Sequence, residues 1–272
     1  MRRCPLKAGE PQVFCHLRIV ISLLLMLAVS CRSRALLEQA QMAADQGNHA
    51  VAVEHYEKFL QENPGHEKAE FVHFQAGNIC LLSLRQYDKA ATHYIQLIEA
   101  SPGSPNMSLA RQRLARAYTL MGKRREAISA YENLLRAFPG TTDRRRIRLE
   151  IADLYFDQND LSQARIEYQK VLKDAAYDSL SELAYLQTGK VCVLLNDLDA
   201  AIPAYQNVIA SSQDPEIVRR ARLLLADCYQ RTLRYEDAVA ELTKIEPNPQ
   251  APEEISRRIA AIRELQKQRG LP

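Results

Sequence analysis

Small and aromatic residues recur along the chain at a fixed interval. Alanines stand at Ala52, Ala90, Ala127, Ala164, Ala201 and Ala238, spaced once by 38 and then four times by 37. Four residues after each come Tyr56, Tyr94, Tyr131, Tyr168, Tyr205 and then Leu242, so five of the 12 tyrosines share one register. Twelve residues before each alanine are Ala40, Asn78, Ala115, Ala152, Gly189 and Ala226. A period of this size marks stacked supersecondary units. Antiparallel helices approach closely only where side chains are small, so the paired small positions predict a crossing with the aromatic ring filling the space beside it. Five residues before each alanine stand Gly47, Arg85, Gly122, Asn159, Asn196 and Leu233. Four of these are Gly or Asn, which tolerate the left-handed conformation that ends a helix. The pattern predicts six helical hairpins within 33–250, over 33–66, 71–104, 108–141, 145–178, 182–215 and 219–250. Beyond them Ile255, Ile259, Ile262 and Leu265 share one face of a helix over 252–270, with Glu253, Arg257, Arg258 and Glu264 elsewhere. Such a helix would cap the stacking face of the last hairpin.

The N-terminal apolar stretch has no such period. Ile19 to Ser30 reads IVISLLLMLAVS behind Arg2, Arg3, Lys7 and Arg18, the layout of an export signal. It falls short of the ~20 residues that span a bilayer. The run ends in Leu27-Ala28-Val29-Ser30-Cys31, which resembles the lipobox of bacterial lipoproteins. That resemblance implies a signal peptide over 1–31 and a Cys31 acylated on sulfur and, after cleavage, on its amino group. A fatty chain such as palmitate adds ~0.8 kcal/mol per buried methylene, and stable anchoring takes more than one. A plain secretory signal with a chance cysteine is the other reading. Only Arg32 separates Cys31 from Ser33, read as the N-cap of the first helix. Two residues reach at most ~7 Å, which would hold the first hairpin near the membrane surface.

Composition then excludes whole classes. Charged residues at 25% and hydrophobic residues at 47% fit an ordinary folded chain rather than a disordered, collagen-like or polytopic membrane protein. The formal net charge of +3 becomes zero once residues 1–31 are removed, since they carry four basic residues and one acidic. Nothing global therefore points to nucleic acid. One segment is polarised: from Ser108 to Arg148 there are eleven basic residues and three acidic ones. Lys123, Arg124, Arg125, Arg144, Arg145, Arg146 and Arg148 make a candidate basic patch for anionic headgroups or an acidic partner. A solvated helix face is the alternative.

The motifs of catalysis are missing. There is no H-E-x-x-H, G-x-S-x-G, P-loop or C-x-x-C, so neither an enzyme nor a cofactor or metal site is expected. His49, His55, His66, His73 and His93 crowd into the first two units without any i,i+4 pair, which reads as exposed or partly packed histidine. Cys80, Cys192 and Cys228 read as buried thiols, because helices 8–10 Å apart rarely meet the ~5.5 Å geometry of a disulfide, although export would permit Cys192 and Cys228 to pair.

The third unit gives the family resemblance. Leu114-Ala115-x2-Tyr118, Ala127-x3-Tyr131 and Pro139 are similar to the tetratricopeptide repeat, W-x2-L-G-x2-Y then A-x3-F then P, with Arg111 in place of Trp. Pro64 and Pro102 repeat the closing proline, and the Pro-Gly pairs at these positions hold the roughly three residues added to the family's ~34-residue period. The resemblance implies an all-α, right-handed superhelix of about six hairpins whose first helices line a groove through positions 2, 5, 9, 12 and 13. Carried over, the ninth position reads Gln41, Ile79, Arg116, Asp153, Lys190 and Asp227, and the thirteenth Asp45, Ser83, Leu120, Asp157, Leu194 and Arg231. Arg116, Asp153, Asp157, Lys190, Asp227 and Arg231 are the candidate groove residues. The Lys and Asn set that clamps a peptide carboxylate in chaperone-binding repeats does not stand at the matching positions. Together with the lipobox, the chain resembles the BamD- and YbgF-type envelope repeat lipoproteins. The resemblance implies a non-catalytic scaffold anchored at the periplasmic face of the outer membrane, binding other envelope proteins or peptides and assisting outer-membrane protein assembly. A pilotin for secretin or type IV pilus assembly and a Tol-Pal or cell-envelope coordination factor are the alternatives.

Overall fold

A computed structural model describes residues 32–173, 177–246 and 253–270, so the signal and lipobox reading over 1–31 lies outside the described residues. Among the described residues there are thirteen helices and no strand. They pair as hairpins, α1 (residues 32–45) with α2 (His49–Glu62) and α3 (Ala69–Leu82) with α4 (Tyr87–Ala100), and α5 (Met107–Leu120) and α6 (Arg124–Ala137) follow in sequence. The series continues with α7 (Arg144–Asp157) and α8 (Leu161–Leu172), α9 (Ser179–Leu194) and α10 (Leu198–Ser211), α11 (Pro215–Arg231) and α12 (Tyr235–Thr243). A thirteenth helix, α13 (Glu254–Gln268), packs on α12 and buries Ile255 and Ile262. The chain divides into two compact units, Met1–Ala130 and Tyr131–Pro272, with the division inside α6. None of the described helices is long and apolar enough to cross a membrane.

Within each unit the core is built on the small-residue and aromatic register. Ala40, Ala52, Ala90, Ala115, Ala127, Ala152, Ala164, Ala201 and Ala238 are fully buried, and Tyr56, Tyr94, Tyr168 and Tyr205 are among the largest side chains shut off from solvent. Two glycines show why the crossing must be small. A Cβ on Gly189 would lie 2.5 Å from Cε1 of Tyr205, and one on Gly77 would lie 2.8 Å from Cε1 of Tyr94. In the second hairpin the small residue is thus Gly77, one position before Asn78. The extra residue behind the single spacing of 38 sits in the turn between Leu82 and Tyr87, and it shifts the carried-over positions: the ninth is Asn78 rather than Ile79, the thirteenth Leu82 rather than Ser83. Ser33, read as a cap, lies inside α1 and is buried.

The hairpin turns use one backbone device. Gly47, Arg85, Gly122, Asn159, Asn196 and Leu233 all take positive φ, between 55° and 77°. The next residue closes the turn: Asn48, Lys123, Asp160, Asp197 and Arg234 each donate a backbone N–H five residues back to the helix just ended. Arg85 and Leu233 occupy the left-handed region against their own preference, because the fixed crossing dictates the turn. A left-handed residue with a Cβ costs ~1–2 kcal/mol. Leu233 is exposed, so its side chain contributes little packing to offset that cost. Leu233→Gly is expected to stabilise the second unit by ~0.5–1 kcal/mol, read as a raised midpoint of chemical denaturation without change of slope.

Candidate interaction site

The first helices of neighbouring hairpins touch within each unit, α3 with α5 and α7 with α9, so residues at one repeat position form a row across them. The ninth-position row is largely consumed by the fold. The Tyr168 hydroxyl donates to Oδ1 of Asp153 at 2.5 Å, and burial raises the affinity of both groups for a proton. The Tyr94 hydroxyl donates to Asn78 at 2.9 Å, and burial pushes it up to about 12. Lys190 stands 4.4 Å over the Phe156 ring, a cation–π contact. Asp227 pairs with Arg258 of α13 at 2.5 Å. Arg116 is exposed at its surface position and takes part in an interaction of its own.

The thirteenth position differs. Arg231 donates to Oδ1 of Asn196 at 2.8 Å and Asp157 is exposed, but Leu82 and Leu194 are exposed to 65% and 55% and Leu120 faces solvent with them. The second position adds Phe71, Leu109 and Leu183, all exposed. In the first unit Phe71 and Leu82 lie near opposite ends of α3, Leu109 and Leu120 near opposite ends of the adjacent α5. Phe71 also lines a cleft of about 530 Å³ with Arg34, Leu37 and Gln41 of α1 and the connection to α3. The charged candidates drawn from the ninth row are therefore mostly structural, and the side chains free to meet a partner are apolar. A search for charge along the groove misses the second-position row, although the family's own groove positions include it.

The basic patch also divides. Lys123, Arg124 and Arg125 are exposed in the first unit, Arg144 and Arg146 in the second, where Arg144 donates to the Pro139 carbonyl at 3.1 Å. Arg145 is a structural hub: it donates to both carboxylate oxygens of Asp178, to Ser181 and to the Val171 carbonyl. Asp178 caps α9 in the same bond set, and its hydrogen bonds from Arg145 and from the Ser181 N–H hold its carboxyl far below the usual carboxylate range. Arg148 pairs with the buried Glu167 at 2.9 Å. A charge reversal across Arg144, Arg145 and Arg146 would consequently damage the fold as well as the surface.

A second cleft, of about 770 Å³, opens in the first unit between α2, α4, the start of α3 and the connection carrying Pro64 and His66. On its wall the Nδ1 atoms of His73 and His93 lie 3.2 Å apart, and Nε2 of His93 lies 3.7 Å from Glu57. Burial, then the neighbouring His93, lowers His73 to about 4, and burial lowers His93 against the pull of Glu57. This pairing was not legible from the spacing of the histidines. Among the described residues no three His, Cys, Asp or Glu side chains converge as metal ligands, and Cys80, Cys192 and Cys228 are buried free thiols.

Comparison with known proteins places this geometry. The tetratricopeptide repeat profile matches residues 32–67, 113–179 and 193–252, more than half of the chain. No curated protein matches. Among solved structures the chain is similar to the C-terminal part of a TPR repeat-containing protein from Cytophaga hutchinsonii, 13% identical over 77% of this chain and 78% of that one, with a TM-score of 0.59. It is also similar to MamA, 17% identical over 66% and 92% with a TM-score of 0.53, and to BtubC from P. vanneervenii, 15% identical over 86% and 92% with a TM-score of 0.53. At these identities the likeness is one of fold.

The two neighbouring arginines separate structure from surface. Arg145→Glu is expected to cost roughly 1–3 kcal/mol, since it opposes Asp178 and strips the α9 cap of its partner, whereas Arg146→Glu should stay within about 0.5 kcal/mol of the parent. Denaturant unfolding of the two single variants checks both.

Proposed function

We propose, from the premise that this chain belongs to the tetratricopeptide repeat family, that it holds partner proteins against its first-helix faces, lipid-anchored in the bacterial envelope, and assists outer-membrane protein assembly. The family is one of protein-interaction scaffolds. The observation that carries the reading is the set of solvent-facing apolar side chains at groove positions of adjacent first helices, above all Leu82 and Leu120. An exposed leucine on its own needs no explanation, but four apolar groups at two repeated positions of neighbouring helices make a surface that a partner's apolar side chains can cover. With Arg34 and Gln41 beside Phe71, that surface suits a segment of mixed apolar and polar character.

The anchor rests on the sequence of residues 19–31, where the apolar run meets Ser30-Cys31. Arg32 supports the outer membrane, because in enteric lipoproteins an Asp after the cysteine retains the protein at the inner one. MamA and BtubC are like this chain in fold, and nothing of their roles is carried over.

In-cell crosslinking combined with mass spectrometry tests the scaffold: recovery of a barrel-assembly subunit supports the reading, and recovery of a secretin subunit replaces it with the pilotin one. Leu82→Glu with Leu120→Glu should reduce the dominant crosslink at least tenfold while leaving helix content and melting unchanged; an undiminished crosslink removes the apolar face from the binding site. For the anchor, Cys31→Ser should move the protein from the membrane fraction to the soluble one, and continued sedimentation would count against acylation.

A further inference from the structure

In the second, fourth and sixth hairpins the position four residues before the small crossing residue faces the position three residues after the repeated alanine. The fourth and sixth hairpins fill this slot with an ion pair: Arg148 with Glu167 at 2.9 Å, and Arg222 with Glu241 at 2.5 Å. The second hairpin fills it with His73 and His93. Their ring centroids are 5.5 Å apart and their Nδ1 atoms 3.2 Å, so the two nitrogens point at one another in a hydrogen bond. Placing the proton of His93 on Nε2, the nitrogen that faces Glu57 at 3.7 Å, sets the tautomers of the pair. Nδ1 of His93 is then the acceptor and Nδ1–H of His73 the donor.

We propose that this pair makes the second hairpin an acid-sensitive joint: a single shared proton ties α3 to α4 near neutrality, and full protonation of both rings releases them. The proton count runs through named atoms. The first added proton goes to Nε2 of His73 and leaves the bond intact. The second has only Nδ1 of His93 to occupy, which removes the acceptor and sets two imidazolium N–H groups face to face. The charged and titratable groups on the surrounding elements are Glu57 of α2, Lys89 of α4, Glu70 of α3, and His66 and Glu67 of the connection; no residue of α5 lines the cleft. Lys89 lies 3.3 Å from the same Glu57 oxygen that faces His93, and Glu70 accepts from Ser104 and Asn106; the pull of Glu57 on His93 is outweighed by burial. The fourth and sixth hairpins, which fill the same slot without histidine, are the internal controls.

The sign comes from linkage. The open hairpin exposes two ordinary imidazoles that protonate near pH 6.5, while in the closed one burial holds His73 down to about 4 and lowers His93 as well. Opening therefore approaches a gain of about a hundredfold per pH unit below that value and reaches roughly eight hundredfold by pH 5. Hydrogen exchange on the full chain, corrected for intrinsic rates, reads this directly. Between about pH 7.5 and about pH 5 the protection of α3 and α4 should fall by roughly eight hundredfold relative to α7 and α8. The double variant His73→Arg with His93→Glu, which installs the pair used in the other hairpins, should abolish the difference. Imidazole nitrogen spectra of the unmodified chain give a second reading, in which loss of the shared proton must coincide with loss of protection. Equal losses in both sets of helices, an undiminished loss in the double variant, or titration of the rings without change in protection would each overturn the proposal.

Discussion

Within each unit the hairpins are closed by an aromatic ring or, in the last, a leucine lying where an alanine or glycine leaves room, and the other features of the repeat accommodate that contact. The ring cannot approach if the crossing residue carries a larger side chain: a single methyl at position 189 would lie 2.5 Å from Tyr205. The second hairpin shows the order of priority. Its extra residue is absorbed in the turn, while Gly77 keeps the place under Tyr94 that Ala40 and Ala152 hold in their own hairpins. The turn yields again at Arg85 and Leu233, which take a left-handed conformation that their side chains disfavour. Packing at the crossing outweighs local preference because the ring and its neighbours bury far more surface than one strained residue costs.

Charge arrangement distinguishes the two units. In the second, aspartates cap α8, α9, α10 and α11, and two of them do double duty: Asp178 receives Arg145 and Asp197 receives Arg165, both from the preceding hairpin. One carboxylate thereby satisfies orphan N–H groups at a helix start and fixes the spacing to its neighbour. In the first unit the described helix starts at Asn48, Lys68, Gln86 and Asn106 make no side-chain cap bond. Its cohesion rests more heavily on apolar contacts such as Phe59, Val72, Tyr94 and Leu97, and its surface offers apolar groups in turn.

The fold was legible because period and side-chain size are properties of the sequence alone. Alanine, tyrosine and the turn residues gave the hairpins and their number but missed the single shift at Gly77, and the apolar face of Ile255, Ile259, Ile262 and Leu265 gave the last helix. The candidate site was less legible, since a charge in a sequence carries no sign of whether its partner lies in solvent or in the next repeat. Asp153, Lys190, Asp227 and Arg145 all found partners inside the chain. A usable signal existed: Arg145 and Asp178 are 33 residues apart, Arg165 and Asp197 32, Asp227 and Arg258 31. Opposite charges separated by slightly less than one period are positioned to meet across adjacent repeats. The histidine pair, 20 residues apart within one hairpin, required the register of the crossing before it could be seen.

That register also explains where variation is tolerated. The slot beside the crossing accepts an Arg–Glu pair or a His–His pair because it lies at the margin of the core, where a polar tip can reach the cleft while its stem packs. In a stack of repeats each module leans only on its neighbours, so weakening one slot loosens one hairpin and its immediate contacts rather than the whole chain. The second hairpin is the one whose first helix carries both Phe71 and Leu82 at its exposed face. A perturbation there acts on the backbone that presents those apolar groups, whereas the same perturbation in the fourth or sixth hairpin would act on helices whose facing charges are already engaged within the fold.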